Sequence, residues 1–232
     1  MDNSKTWCRI YDTNSFGNMF PSSYLVSFFH ARVKSQLLQK KERIENINVL
    51  DFGCSIGANS IIFNSLKMNT YGIDVSQTAI SKLIERGVGD ENHFKAVNLL
   101  DSNTSLHDIF PNIHFDFVVA SEIMYYFTNK QRSLIIEKIV DAMNSEGLIY
   151  ISTPTYDFPL YKEYKSVPKD KDGMVAIQES GRIKNQLLVN LPRNKEEMIA
   201  MFNPLKVIDL ITVNTPLYSE EQMIEYHLLA KK

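Results

Sequence analysis

The sequence predicts an α/β protein: a seven-stranded, mostly parallel sheet with helices on both faces, completed by an antiparallel strand pair at the C-terminus. Two observations predict it. Between residues 47 and 152, short apolar β-type runs alternate with stretches whose apolar residues recur at helical spacing. Such alternation folds as parallel strands joined by right-handed crossovers. After residue 204, two β-type runs follow each other with no helical stretch between them, the pattern of strands that pair antiparallel.

The elements follow in order. Ile47 to Phe52 is a short strand ending in a glycine turn, and Ala58 to Met68 carries Ile61, Ile62 and Leu66 at helical spacing. Thr70 to Asp74 is the second strand. Ser76 caps the next helix, which shows Ala79, Ile80, Leu83 and Ile84 on one face and stops at Gly87. Phe94 to Leu99 is a third, weaker strand. Phe115 to Ala120 is almost continuously apolar, as a strand covered on both faces must be. Thr128 and Gln131 form a capping box for a helix that buries Ile135, Ile136, Ile139, Val140 and Met143. Gly147 to Ser152 is the fifth strand. Met174 to Gln178 and Gln186 to Leu191 flank Ser180-Gly181 as a hairpin, Asn194 and Glu197 cap a short helix to Phe202, and Leu205 to Val213 and Gln222 to Ala230 are the closing strand pair. Before the sheet, Ser23 to Leu38 reads as one helix.

With 232 residues, 44% of them apolar, one full core is available, and no repeat or linker divides the chain, so residues 1–232 are expected to form a single domain. The net charge of −2 (25 basic, 27 acidic residues) gives no basic excess for a polyanion. Two cysteines, Cys8 and Cys54, supply neither a disulfide framework nor a cysteine-rich zinc site, and the five histidines show no metal-ligand spacing, so no metal is expected. The longest apolar runs are far too short for a membrane span, and residues 1–5 lead into no apolar signal region. The expectation is a soluble, cytoplasmic protein that binds neither nucleic acid nor membrane.

The informative segment is Asp51-Phe52-Gly53-Cys54-Ser55-Ile56-Gly57-Ala58-Asn59. Glycines at a strand-to-helix turn let the backbone approach a ligand, with free N–H groups behind them. For a dinucleotide, Gly53, Ser55 and Ala58 give a degraded fingerprint with its central glycine lost. The other ligand class is S-adenosylmethionine (SAM). Charge separates the two. Asp51 would repel a pyrophosphate but attract SAM, whose sulfonium and ammonium outweigh its one carboxylate. Asp74, 23 residues on, ends the second strand where an acidic side chain meets ribose hydroxyls.

These residues, with Tyr71 to Ser76 and Phe115 to Glu122, resemble the successive motifs of class I SAM-dependent methyltransferases, a Rossmann-like fold, over about residues 47–153. Ser55 stands where glycine is commoner, and Asn98 where many members have an acidic residue. The resemblance implies that the Gly53, Ser55 and Gly57 turn, with Asp51 and Ser121, holds the methionine portion. Asp74 would take the ribose, and Val75, Asn98 and Leu99 would flank the adenine. The implied activity is methyl transfer to the oxygen or nitrogen of a small, polar, anionic or hydroxyl-bearing acceptor.

Candidate catalytic residues are Glu122, just past the fourth strand, Tyr125 and His30, each with a structural alternative: a solvent-facing carboxylate, a pocket wall and a structural helical histidine. Ala120-Ser121-Glu122-Ile123 is not the Asn-Pro-Pro-Tyr type of motif of nucleobase and glutamine methyltransferases, and no Glu-plus-His cluster of RNA-end methyltransferases follows Glu122. Residues 7–29 hold seven of the 25 aromatics, so residues 1–45 are expected to form a helical lid, and 157–191 an insertion shaping the acceptor pocket. Phe16-Gly17-Asn18 with Pro21 to Val26 is similar to leaders of methyltransferases of bacterial surface-polysaccharide pathways. Two other classes compete: a SAM-binding regulatory or scaffold subunit without turnover, and an NAD-binding oxidoreductase. The quaternary expectation is a monomer or homodimer.

Overall fold

The computed structural model describes residues 3–13, 20–178, 186–216 and 222–232. The Phe16-Gly17-Asn18 leader and the Ser180-Gly181 turn lie outside the described residues.

The elements are α1 (Asn3–Thr13), α2 (Ser23–Phe28), α3 (Lys34–Leu38), β1 (Asn48–Phe52), α4 (Ser60–Ser65), β2 (Asn69–Asp74), α5 (Gln77–Glu85), β3 (Phe94–Ala96), α6 (Leu106–Ile109), β4 (Phe115–Ser121), α7 (Asn129–Asp141), β5 (Met143–Pro154), β6 (Val175–Gln178), β7 (Gln186–Val189), α8 (Lys195–Ala200), β8 (Lys206–Pro216) and β9 (Gln222–Lys231). Seven strands form one sheet in the order β3-β2-β1-β4-β5-β9-β8. The first five run parallel, and β9 and β8 close it antiparallel. This is the Rossmann-like fold the sequence predicts. β6 and β7 pair as a separate antiparallel hairpin.

Alternate residues of each strand feed two cores. On one face Leu50, Val118, Ala120, Ile149 and Ile151 pack under α7 through Ile135, Ile136 and Ile139. On the other, Val49, Phe117, Val119, Leu148 and Tyr150 pack under Leu25, Phe29, Val33, Ile62 and Phe63. Caps act where the sequence places them. Ser76 Oγ accepts from the N–H of Ala79 at the start of α5, and Thr128 and Gln131 exchange both bonds of the capping box.

The structure differs from the sequence reading at four places. The predicted helix 23–38 is interrupted by a π-helical turn at Phe29–Val33, whose wider turn lets the adjacent Phe28 and Phe29 both reach the sheet. α4 is shorter than 58–68, ending before Lys67, which adopts a positive φ of 60°. β3 stops at Ala96 because Asn98 turns the chain, its Oδ1 accepting from Leu100 N–H at 3.1 Å. β5 is twice the predicted length, running from Met143 to Pro154. Residues 23–38 also cover a sheet face rather than the sheet's edge, so among the described residues of the expected 1–45 lid only α1, Phe20 and Ser22 reach the cavity. Among the described residues no helix is long and apolar enough to cross a membrane.

Candidate functional site

Strand order reverses between β1 and β4, so the chains leaving their C-terminal ends diverge and open a crevice. A cavity of about 460 Å³ fills it. Its floor is the turn after β1, its sides are the ends of β2 and β4, and its outer wall is α1 with the β6–β7 hairpin.

The turn is held in a left-handed shape, with φ of +76° at Gly53, +53° at Ser55 and +84° at Gly57. Both Gly53 and Cys54 donate N–H to Ile73 O, at 2.8 and 3.0 Å, tying the turn to β2. Ser55 adopts a conformation that favours glycine, and two bonds offset the strain. Its N–H donates to Asp74 Oδ2 at 3.0 Å, and its Oγ accepts from the Tyr11 hydroxyl at 2.5 Å. The serine that replaces the commoner glycine thus fastens the turn to α1.

Asp74 lines the cavity, with its carboxylate held by Ser55 N–H on one oxygen and Ser76 N–H, at 2.9 Å, on the other. Burial raises its pKa, against the backbone N–H groups of Ser76, Ser55 and Val75. Each oxygen keeps a second lone pair for a hydroxyl donor. Val75, Asn98, Leu99 and Ser121 also line the cavity. The amide oxygen of Asn98, expected to meet the adenine, already accepts from Leu100 within its own turn.

Two of the expected site residues, Asp51 and Gly57, do not line the cavity. Asp51 is buried and takes the Ser60 hydroxyl at 2.6 Å, behind the turn rather than on the cavity wall. Burial pushes its carboxyl up to about 6, with the nearby Asp74 adding to the effect. Gly57 turns away as well: a Cβ there would meet Val88 at 2.8 Å and Leu83 at 3.0 Å, so this glycine serves the packing of α5. At Gly53 a Cβ would meet Ile123, a cavity residue, at 2.9 Å.

Of the three catalytic candidates, the structure brings one to the cavity. Glu122, just past the end of β4, lines the cavity's side as an exposed residue, with a φ of +57°. Desolvation in the cleft and the carboxylate of Glu225 raise its pKa, while the Ser152 hydroxyl, donating to Oε1 at 3.1 Å, works against them. Tyr125 packs in a neighbouring apolar cluster and donates its hydroxyl to Tyr126, and it is Tyr126 that lines the cavity. His30 is exposed on the π-helical turn, against Phe29 on the sheet-covering layer, and is not among the lining residues.

Other lining residues extend the site. Trp7 meets Tyr126 edge-on at 5.1 Å, and Met174 and Leu188 face in from the hairpin. Asn3 donates to the carbonyls of Tyr126 and Leu188, locking α1 to that hairpin. Period-2 polar positions in strands otherwise read as apolar, Tyr150 and Ser152, Glu225 and His227, were the signal for the groups beneath Glu122.

A family model described as "Methyltransferase domain" matches residues 27–210. The chain belongs to this methyltransferase family. The methyltransferase also resembles an uncharacterised protein of Rickettsia prowazekii (strain Madrid E), 26% identical over 117 residues, which are 48% of this chain and 44% of that protein. The matched part thus spans less than half of that relative's length. Among solved structures, a SAM-dependent methyltransferase from Methanosarcina mazei superposes with a TM-score of 0.64 at 16% identity, over 81% of this chain and 93% of the other. One from Anabaena variabilis gives 0.65 at 13% identity, over 100% and 95%. The magnesium protoporphyrin IX methyltransferase of Synechocystis, with bound S-adenosylhomocysteine (SAH), gives 0.54 at 14% identity, over 98% and 93%. At these identities the likeness is one of fold.

The methyl donor of the methyltransferase is SAM, and its cavity fits that ligand's charge. Asp74 and Glu122 line it, and no lysine, arginine or histidine does so among the described residues. An acidic cleft suits a net cation and disfavours a pyrophosphate. The same lining gives no support to the anionic acceptor expected from the sequence.

Proposed function

We propose that this methyltransferase methylates the oxygen or nitrogen of a small acceptor with an apolar body, with Glu122 taking the acceptor's proton. The observation that carries this reading is Glu122 itself: a carboxylate open to the cavity beside Ser121, opposite a wall of Trp7, Tyr126, Met174 and Leu188. A carboxyl whose affinity for protons is raised is a better general base near neutral pH than an ordinary surface glutamate.

Bound SAM supplies an activated methyl group, so the protein's task is alignment, exclusion of water and removal of one proton. Asp74 accepts the ribose hydroxyls, Val75 and Leu99 flank the adenine with Asn98 at its edge, and the Gly53–Ser55 turn with Ser121 receives the methionine portion. Asp51 acts from behind, through the charge it places under the turn. α1 closes the outer side: Lys82 Nζ donates to Tyr11 O at 3.0 Å and Thr78 donates to Asp12, which dock it on α5. The hairpin within residues 157–191 shapes the acceptor's apolar seat.

The test is turnover with methyl-labelled SAM and a panel of phenols, alcohols and amines, compared with carboxylates of matched size. Uncharged or basic acceptors should be labelled, and Glu122→Gln should lose at least 100-fold in kcat, within the range general-base catalysis contributes. Labelling confined to the carboxylates, or full activity of Glu122→Gln, would overturn the reading.

A further inference from the structure

Glu122 is fastened to one residue of the neighbouring strand. Ser121 and Ser152 are register partners in the parallel pair of β4 and β5. Glu122 follows Ser121 with a φ of +57°, a conformation that a residue other than glycine keeps only when its surroundings over-determine it. Here Ser152 does so. The Glu122 N–H donates to Ser152 O and to Ser152 Oγ, both at 3.2 Å, and Ser152 Oγ donates to Glu122 Oε1 at 3.1 Å. Ser121 Oγ lies 3.0 Å from Ser152 Oγ. Ser152 is buried, whereas Ser121 and Glu122 line the cavity.

A hydroxyl has one hydrogen to give. With Glu122 ionised, as a base must be before it takes a proton, the hydrogen of Ser152 is committed to Oε1. Ser121 then supplies the hydrogen between the two serines, so its own hydrogen does not point into the cavity. What this corner presents to a ligand is lone pairs, those of Ser121 Oγ and of Glu122 Oε2. An alcohol or phenol carries one hydrogen, so it satisfies one of these acceptors and turns an oxygen lone pair toward the other. An alkylammonium carries up to three N–H groups and satisfies both. Its charge is matched by Glu122 and by a lining without lysine, arginine or histidine among the described residues. The rings of Trp7 and Tyr126 in the same lining have faces that attract cations.

We propose that the acceptor is an amine, held as its ammonium between Ser121 Oγ and Glu122 Oε2, and that Ser152 is the positioning residue that selects nitrogen over oxygen. This rests on the reading of Glu122 as the base. In the reaction an N–H bond breaks as an O–H bond forms on Glu122. The freed nitrogen lone pair forms the nitrogen–methyl bond while the sulfur–methyl bond breaks and leaves its electrons on sulfur. The products are a methylated ammonium, SAH and protonated Glu122, and charge and electrons are conserved.

The test is binding to the SAH complex, which needs no turnover. Matched pairs are titrated by calorimetry at neutral pH: hexylamine with hexanol, phenethylamine with phenethyl alcohol, and tryptamine with tryptophol. In at least one pair the amine should bind about 10-fold more tightly or better, the size of a hydrogen bond to a charged group. Glu122→Gln should abolish that preference. Ser152→Ala releases the Ser121 hydrogen into the cavity and should shrink the preference about 3- to 10-fold, with SAH affinity retained, and Ser152→Thr, which keeps the hydroxyl, should restore it. Ser121→Ala removes one of the two acceptors and stands in, with the same expected loss, should Ser152→Ala fail to fold. No amine preference in any pair, binding by none of the compounds included, overturns the proposal, as does a preference that Glu122→Gln or the serine variants leave intact. SAH brings an ammonium of its own, so SAH is compared with its analogue lacking the α-amino group. If Glu122→Gln and Ser121→Ala weaken SAH but not the analogue, the pair holds the methionine portion and the acceptor assignment falls. Labelling of alcohols or phenols that Glu122→Gln abolishes would overturn the amine and leave the base in place. Failure of the base reading shows separately, as unimpaired turnover in Glu122→Gln.

Discussion

Asp51→Asn should change how the stability of the protein depends on pH. Asp51 is enclosed, with Ser60 as its hydroxyl donor, and its carboxyl is pushed up to about 6 from an ordinary 3.8. The folded state therefore holds a proton more tightly than the unfolded chain. A group of that kind contributes its full stability below the unfolded value and loses it as pH rises to the folded one. The difference between 3.8 and 6 is worth about 3 kcal/mol, lost between roughly pH 4 and 6. Asparagine has the same shape, still accepts from Ser60, and does not titrate. Urea denaturation of both proteins at closely spaced pH values gives the difference curve. Wild type should lose about 3 kcal/mol relative to Asp51→Asn over that window, with a flat difference above it. A difference that is flat throughout, or that favours wild type as pH rises, refutes the assignment of Asp51 as a buried carboxylate without a cation.

Three further outcomes are expected. Gly57→Val forces a β-branched residue into a left-handed turn against Leu83 and Val88, and should cost about 2–5 kcal/mol in thermal denaturation; an unchanged melting temperature with lost SAH binding would mean that Gly57 faces the ligand after all. Tyr11→Phe removes the hydroxyl bonded to Ser55 and should cost about 0.5–1.5 kcal/mol while loosening SAH, read by calorimetry; no change in either quantity contradicts a link between α1 and the turn. Deleting residues 3–13 should leave the sheet's circular dichroism intact and cripple SAH binding and turnover, whereas native-like values of both would sink the closing role of α1.

What was readable in the sequence was whatever depends on neighbours in the chain. The period of Phe115 to Ala120, the N-cap at Ser76, the capping box at Thr128 and the glycine turn with Asp74 are all local patterns, and each stands where it was read. What was not readable depends on which way a side chain leaves the backbone. Gly57 belongs to the same turn as Gly53, yet the twist of that turn aims its missing Cβ at α5. Tyr125 and Tyr126 are adjacent, and the short 3-10 turn that holds them decides which one meets the cavity. His30 sits on an amphipathic helix whose exposed side it occupies, and sequence spacing alone did not reveal which sheet face that helix covers. The buried contact between Tyr150 and His227 needs the antiparallel register of β5 and β9, which brings together residues 77 positions apart.

The central claim is that SAM lies in the crevice between the ends of β1 and β4, with its ribose on Asp74. Isothermal titration of SAM and SAH into wild type and Asp74→Ala tests it most directly, with NAD as the competing ligand class. Wild type should bind one SAM per chain and ignore NAD. Asp74→Ala should bind about 10- to 150-fold more weakly, the equivalent of about 1.5–3 kcal/mol for hydrogen bonds to a charged group. Unchanged affinity in a variant with native circular dichroism, or NAD binding in preference to SAM, would contradict it.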